Sequence, residues 1–270
     1  MNSTFKFIIL TFDLEEFSLP LDFGIKIESK KMLQLSYEGC KRLEKTLKEF
    51  DIKVTFFVTV KFASKFPQLI RKLAKEKHEI ALHAIKYNLK SLLKEKKILE
   101  NISRTKILGV RAHKLRLPSF STLKKVGIKY DSSLHPTYLP KRYNNLAYPR
   151  KPFVINGVLE IPISVTPFLR LPFSFVWFRD FGLNYAKICT FIALKEQHFA
   201  NLYFHPWEFI NLRDYDLPFY VKMKTGVEMK KMLEKYLKWC ISKGFKFTTI
   251  KNYIQSKSFK LVHSHIYSKW

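Results

Sequence analysis

The stretch Lys6–Phe17, KFIILTFDLEEF, runs apolar from Phe7 to Phe12 and then presents three carboxylates, Asp13, Glu15 and Glu16. A short run of β-branched and aromatic residues reads as a strand buried on both faces, as in a parallel sheet. Acids at the C-terminal end of such a strand stand where α/β enzymes place their chemistry. The same acids would also serve to solubilise a strand end or cap the next element, so the stretch alone leaves both readings open.

Working outward, strand and helix patterns alternate. Residues 18–30, with Pro20 and Gly24, read as a loop, and 37–50 as a helix with Leu43, Leu47 and Phe50 on one face. A strand at 54–60 precedes a helix at 66–78, where Pro67 sits near the start. The run 79–83 is a strand ending in His83, followed by a Lys/Leu-rich helix over 89–104 and a strand over 107–113. A helix at 119–127 stops at Gly127. Strands are predicted at 128–134, 158–164, 201–209 and 246–251, with helices at 184–197 and 226–243. At least six alternations of this kind are the signature of βα units around a parallel sheet. The small amount of insertion favours a closed or nearly closed barrel over an open sheet. Neither G-x-G-x-x-G nor G-x-x-x-x-G-K-[ST] occurs, so no dinucleotide or P-loop reading is available.

At 270 residues the chain suits one large domain, read here as 1–255 with a basic C-terminal tail over 256–270. An apolar fraction of 47% with 25 Phe argues against disorder. The formal charge of +27 suits an anionic partner or a lysine-rich solvated surface, and by itself names no partner. That charge is spread along the chain and accompanies no nucleic-acid-binding module, so specific nucleic-acid binding is not expected. Cys40, Cys189 and Cys240 are odd in number and in no metal-like spacing, which points to buried thiols in a reducing compartment. The first apolar run is too short for a secretory h-region, and no stretch approaches the length of a transmembrane helix. A cytoplasmic location is expected, with peripheral membrane association compatible. Pro167–Gly182, PFLRLPFSFVWFRDFG, is aromatic and carries Arg170 and Arg179. It reads foremost as a buried lid over one barrel end, and otherwise as a platform for a sugar chain or a membrane interface.

Asp13, Glu15, His83, Arg111, Asp131 and His205 each lie at or just past the end of a predicted strand. In a parallel barrel such ends face one mouth. Convergence of five polar strand ends, carrying two histidines and three carboxylates, favours a site. His78 reads as a solvated residue before its strand, and His198, His263 and His265 as surface residues.

These residues sit in short motifs that together resemble the polysaccharide deacetylase (NodB-homology, carbohydrate esterase family 4-like) superfamily. TFDLEEF (11–17) resembles its first acidic motif, HEIALH (78–83) its metal-histidine strand, and VRA (110–112) with LPSFS (117–121) its arginine motif. YDSSLHP (130–136) and LEIPIS (159–164) are companions, and YFHPWE (203–208) resembles the last histidine motif. The resemblance implies an α/β fold, a distorted (β/α)7 barrel, and metal-assisted hydrolysis of an N-acetyl group on a glycan or sugar conjugate, which the basic excess would allow to be anionic. It implies Asp13 as general base, Glu15 and His83 as ligands of a divalent cation such as zinc, Arg111 orienting the base, and His205 as general acid. Asp131 would hold the arginine or tune His205.

One position departs from the family pattern. A second histidine normally follows the first in H-x-x-x-H, and here Tyr87 stands in its place. A neutral phenol is a poor divalent ligand. A third donor would have to come from His113, His135 or Glu16; His113 itself stands where the family often has proline. Three outcomes follow: a site completed from elsewhere, a metal-free hydrolase, or a member that binds glycans without catalysis.

Overall fold

In the computed structural model, which describes residues 5–256, the opening run forms β1 (Phe7–Leu14). This strand continues past the predicted end at Phe12, so Asp13 lies inside it. Alternation sorts its two faces. Ile8, Leu10, Phe12 and Leu14 join the main apolar cluster beneath the helices, whereas Ile9 meets Phe57, Ala81, Tyr130 and Ile161 inside the barrel. Thr11 and Asp13 continue the inward row, both contacted by the Arg111 guanidinium.

Around β1 a curled sheet forms. On one side β1 pairs in parallel with β10 (Phe199–Phe204). Its other edge is shared by β11 (Lys246–Thr248) near its start and β2 (Thr55–Val58) near its end. The sheet continues through β3 (Glu79–Ala84), β4 (Gly109–Ala112), β5 (Tyr130–Asp131) and β9 (Val158–Glu160), all parallel. The antiparallel strand β8 (Phe153–Ile155) ends it, and β6 (Tyr138–Leu139) with β7 (Tyr143–Asn144) makes a separate small hairpin. Between β9 and β10 hydrogen bonds from Ser164 and Asn201 replace a ladder. Ser164 N–H donates to Asn201 O at 2.9 Å, Asn201 N–H donates to Ser164 Oγ at 2.8 Å, and Asn201 Nδ2 reaches Ile161 O, Pro162 O and Ser132 Oγ. The expected distorted (β/α)7 barrel is the observed fold.

Helices clothe the outside: α1 (Ser29–Glu49), α2 (Val60–Lys65), α3 (Pro67–Lys75), α4 (Leu89–Ser103), α5 (Phe120–Val126), α6 (Phe175–Asp180), α7 (Gly182–Gln197), α8 (Phe219–Lys222), α9 (Val227–Ser242) and α10 (Ile250–Gln255). Several boundaries differ from the sequence pattern for local reasons. α1 begins well before residue 37 because Met32, Leu33 and Ser36 extend the buried stripe of Cys40, Leu43 and Leu47. The strand predicted to Val60 stops at Val58, since the Thr59 hydroxyl accepts the Phe62 N–H and caps α2. Thr249 ends β11 in the same way by capping α10. β9 ends at Glu160, shortly before Pro162, which has no N–H for a ladder. At Gly109 a Cβ would fall 1.9 Å from the Tyr130 ring, so glycine lets that tyrosine fill the barrel interior and donate its hydroxyl to Glu79 at 2.8 Å.

His78, expected in solvent, is buried. Its Nδ1 accepts the Val54 N–H at 3.2 Å, and burial pulls the imidazole down to about 4. His198 closes α7 in the left-handed conformation, φ 63°. All three cysteines are buried free thiols. Apart from Ser256, the basic tail, including His263 and His265, lies outside the described residues.

Candidate active site

Three strands of the parallel sheet, β1, β3 and β4, bring the first group together. Glu15 follows β1, His83 lies in β3, and His113 follows β4. Glu15 Oε2 is 3.1 Å from His83 Nε2 and 2.8 Å from His113 Nδ1. One donor atom from each of the three residues lies within 4.8 Å of the other two. Burial would push the Glu15 carboxyl up, but the hydrogen bonds and charges of His113 and His83 hold it well below the usual carboxylate range. Burial pulls the His83 imidazole down, and the charges of Asp13 and Glu15 more than reverse this and raise it.

The donor set suits a divalent cation. His83 Nδ1 lies 3.1 Å from the Arg111 carbonyl, so both of its ring nitrogens face oxygen acceptors. Such a ring is either an imidazolium or an imidazole whose Nε2 serves a cation while Nδ1–H donates to the carbonyl. One carboxylate and two imidazoles form a zinc-type set, and the residues present fit such an ion.

His113 is thus the candidate third donor, and His135 is not. His135 is buried beside the cleft wall, its Nδ1 2.9 Å from the Tyr143 hydroxyl and its ring edge-on to Trp177 and Tyr203. Burial pulls it down to about 3, which keeps the ring neutral. Glu16 is taken up structurally by Thr59 and Lys61, each at 3.1 Å. Tyr87 turns its hydroxyl to the His113 carbonyl at 2.9 Å, so it braces the residue that completes the group. His113 opens a tight turn in which Lys114 and Leu115 both hold positive φ, 58° and 56°. Strand parity could have singled out His113: it follows the inward Arg111 by two residues, as Glu15 follows Asp13.

Beside this group lies the Asp13–Arg111 pair. Arg111 is fully buried, with Nη1 donating to Asp13 Oδ1 at 2.8 Å and to Thr11 Oγ1 at 2.7 Å. Nε and Nη2 donate to Ser132 O and Oγ, and the guanidinium sits 4.1 Å from the centroid of the Phe57 ring. Every nitrogen of Arg111 is therefore engaged, and Asp13 is fixed by a charge-assisted bond.

Asp131 does not take either of its expected places. It lies opposite Glu160 in the β5–β9 register, its Oδ1 accepts the Ser133 hydroxyl at 2.6 Å, and Ser132 makes the contacts to Arg111 instead. The inward residue of β5 is Tyr130, and alternation turns Asp131 outward.

His205 approaches from β10. Its Nε2 is 3.9 Å from Glu15 Oε1, and its ring stacks on Trp207 at 4.7 Å and meets the Phe175 ring edge-on. The carboxylate behind it is Glu208, which sequence reading missed. Glu208 Oε1 accepts the His205 N–H at 2.7 Å and lies 3.5 Å from Nδ1, a charge-pair distance. Its other oxygen accepts Arg179 Nε at 2.8 Å, and both members of that pair are fully buried. α1 passes close to this turn: a Cβ on Gly39 would fall 2.0 Å from Pro206 O, so glycine permits the approach.

Asp13, Glu15, His83, His113 and His205 line one cleft of about 440 Å³, with Phe175, Val176 and Trp177 on its wall and Arg142 also lining it. The 167–182 segment therefore divides. Phe173, Ser174, Phe178 and Arg179 are buried as a lid requires, while Phe168 and Leu169 stand in solvent.

With this geometry in place, residues 2–127 match the family model for polysaccharide deacetylase. Over that N-terminal part the chain is similar to the polysaccharide deacetylases. Residues 132–255, which include His205 and Glu208, match a second model described as a domain of unknown function (DUF3473). β5 spans the junction, pairing with β4 on one side and β9 on the other, so one sheet runs through both matches. Among solved structures, the probable polysaccharide deacetylase from Pseudomonas aeruginosa PAO1 is similar at 15% identity, covering 94% of this chain and 92% of that one, with TM-score 0.63. Puue allantoinase is similar at 16% identity, 94% and 91% coverage and TM-score 0.64. A carbohydrate esterase family 4 pseudoenzyme from Bacillus anthracis is similar at 10% identity, 92% and 65% coverage and TM-score 0.50. At these identities the likeness is one of fold. No curated protein matches the chain. Among the described residues no helix is long and apolar enough to cross a membrane.

Proposed function

We propose that this protein is a hydrolase that removes an N-acetyl group from a glycan or sugar conjugate with the help of a divalent cation, zinc by the donor set. The observation that carries the reading is the convergence of Glu15, His83 and His113 donors within 4.8 Å of one another, beside Asp13 and opposite His205. A cation held by those three residues supplies Lewis acidity toward the amide carbonyl and acidifies water.

The chain's own residues account for the proton movements. Asp13, held by Arg111, accepts a proton as water attacks the carbonyl carbon. The C–N bond then breaks as His205 delivers a proton to the leaving nitrogen, giving a free amine and acetate. Arg111 cannot lose its charge, so it keeps Asp13 oriented through the cycle. Glu208 orients His205 through the backbone and faces its Nδ1. Arg142 on the cleft wall and the formal charge of +27 favour a conjugate that carries an anionic group.

The test is direct. The protein should take up one divalent ion, measured by elemental analysis and zinc titration, and release acetate from N-acetylated sugar oligomers. Asp13→Asn should retain the ion and lose acetate release. No metal uptake and no acetate release, with glycan still retained on the protein, would replace the enzyme by a glycan-binding member of the fold.

A further inference from the structure

The turn after Ser164 and the outer side of α7 form an apolar face that the proposed reaction does not use. Val165 and Pro172 bridge in antiparallel fashion, Thr166 N–H donates to Leu171 O at 3.0 Å, and Leu171 N–H donates to Thr166 Oγ1 at 3.0 Å. The tip is braced from behind, where Thr137 Oγ1 donates to Arg170 O at 2.7 Å and Arg170 Nη1 donates to Tyr148 O at 3.0 Å. Phe168 and Arg170 both hold positive φ, 52° and 53°, which a non-glycine residue adopts only where its surroundings impose it. The effect is to fix Phe168 and Leu169 outward, 97% and 76% exposed.

α7 continues that face. Its inner side, Ala186, Cys189, Ala193 and Leu194, packs into the main core. A surface helix should then show polar residues opposite. Instead Ile188, Phe191 and Ile192 are exposed. A helix apolar on both sides needs a partner on the outer one. The two pieces adjoin, since Phe168 and Ile192 line one groove together with Lys195 and the Arg150–Glu196 pair. Lys6 lies over the Phe191 ring at 5.7 Å. Phe181, immediately before α7, lines the catalytic cleft, so one helix joins this face to the cleft mouth.

We infer that this face docks the protein on the surface of an anionic lipid bilayer, with Phe168 and Leu169 entering the headgroup region and Lys6 and Lys195 meeting lipid phosphates. Charge decides between occupants. A second copy of a chain carrying +27 is repelled, whereas an anionic membrane attracts it. Exposed aromatic and aliphatic side chains flanked by lysine are the composition of an interfacial anchor.

Full-length protein should co-sediment with vesicles containing about a third phosphatidylglycerol in phosphatidylcholine, not with phosphatidylcholine alone, and binding should weaken as salt rises. Replacing both tip residues, Phe168→Ser and Leu169→Ser, should lower vesicle affinity at least about tenfold with circular dichroism and melting temperature unchanged, because neither side chain contributes to the core. Equal binding by the double variant would reduce the interaction to bulk charge and overturn the proposal. Failure to bind anionic vesicles at low salt would do the same, as would a soluble dimer that the double variant dissociates.

Discussion

Removing the His113 imidazole separates the proposed metal centre from a chance cluster. Glu15 Oε2 is shared by His83 at 3.1 Å and His113 at 2.8 Å, so His113→Ala leaves two protein donors where catalytic zinc sites use three. Losing an outer-shell partner alone costs about ten- to hundredfold in metal affinity. Losing a donor should therefore cost more than about a hundredfold, or above about 2.8 kcal/mol. Competition with a chromophoric chelator gives zinc affinity, and the visible spectrum of the cobalt form reports coordination without any substrate. The tyrosine provides the second arm. Its hydroxyl already reaches the His113 carbonyl, so position 87 lies against the residue being changed, and Tyr87→His in the His113→Ala background should restore much of the lost affinity. If His113→Ala binds zinc within about threefold of the parent protein, the three-donor reading is wrong.

Other perturbations test the supporting shells. Tyr87→Phe removes only the brace on His113, a neutral hydrogen bond of about 1 kcal/mol, so zinc affinity should fall roughly fivefold. Glu208→Gln removes the counter-charge of the buried Arg179. It should destabilise the protein by about 3–5 kcal/mol, seen in denaturant unfolding, besides slowing turnover. Asp131 and Glu160 face each other fully buried, with one oxygen of each lacking a hydrogen-bond partner unless the two share a proton. Burial raises both carboxyls, and the charge of Asp131 carries Glu160 higher still. The folded chain therefore keeps a proton that the unfolded chain has released. The stability from that proton is complete below the ordinary Glu value of 4.5 and is lost as pH rises through the folded value. Glu160→Gln has no such proton to lose, so its melting temperature should fall less than that of the parent as pH rises above about 5.

Why the sequence yields some of these residues and hides others follows from the range of each interaction. Thr11, Asp13 and Glu15 share a parity along and just past β1, as Arg111 and His113 do at β4, so once the strands are placed their inward row can be read directly. Asp131 misleads for the same reason. Proximity to a strand end suggests a site residue, but Tyr130 occupies the inward position, made possible by the missing Cβ of Gly109 on the next strand. Parity, and not distance from the strand end, decides which acids enter the cleft. The start of α1 is obscured by Glu28, Lys30 and Lys31, charged residues that mask the stripe begun by Met32 and Leu33. Glu208 lies beyond either rule. It sits in the turn after β10, and its meaning depends on Arg179 reaching it from α6, a pairing that no local period encodes. Tyr87 is the sharpest case. In sequence it marks the loss of a histidine, whereas in the fold its hydroxyl supports the carbonyl of His113, the residue whose imidazole meets Glu15. The substitution at 87 and the histidine at 113 are thus two halves of one local rearrangement, linked across adjacent strands by a single hydrogen bond.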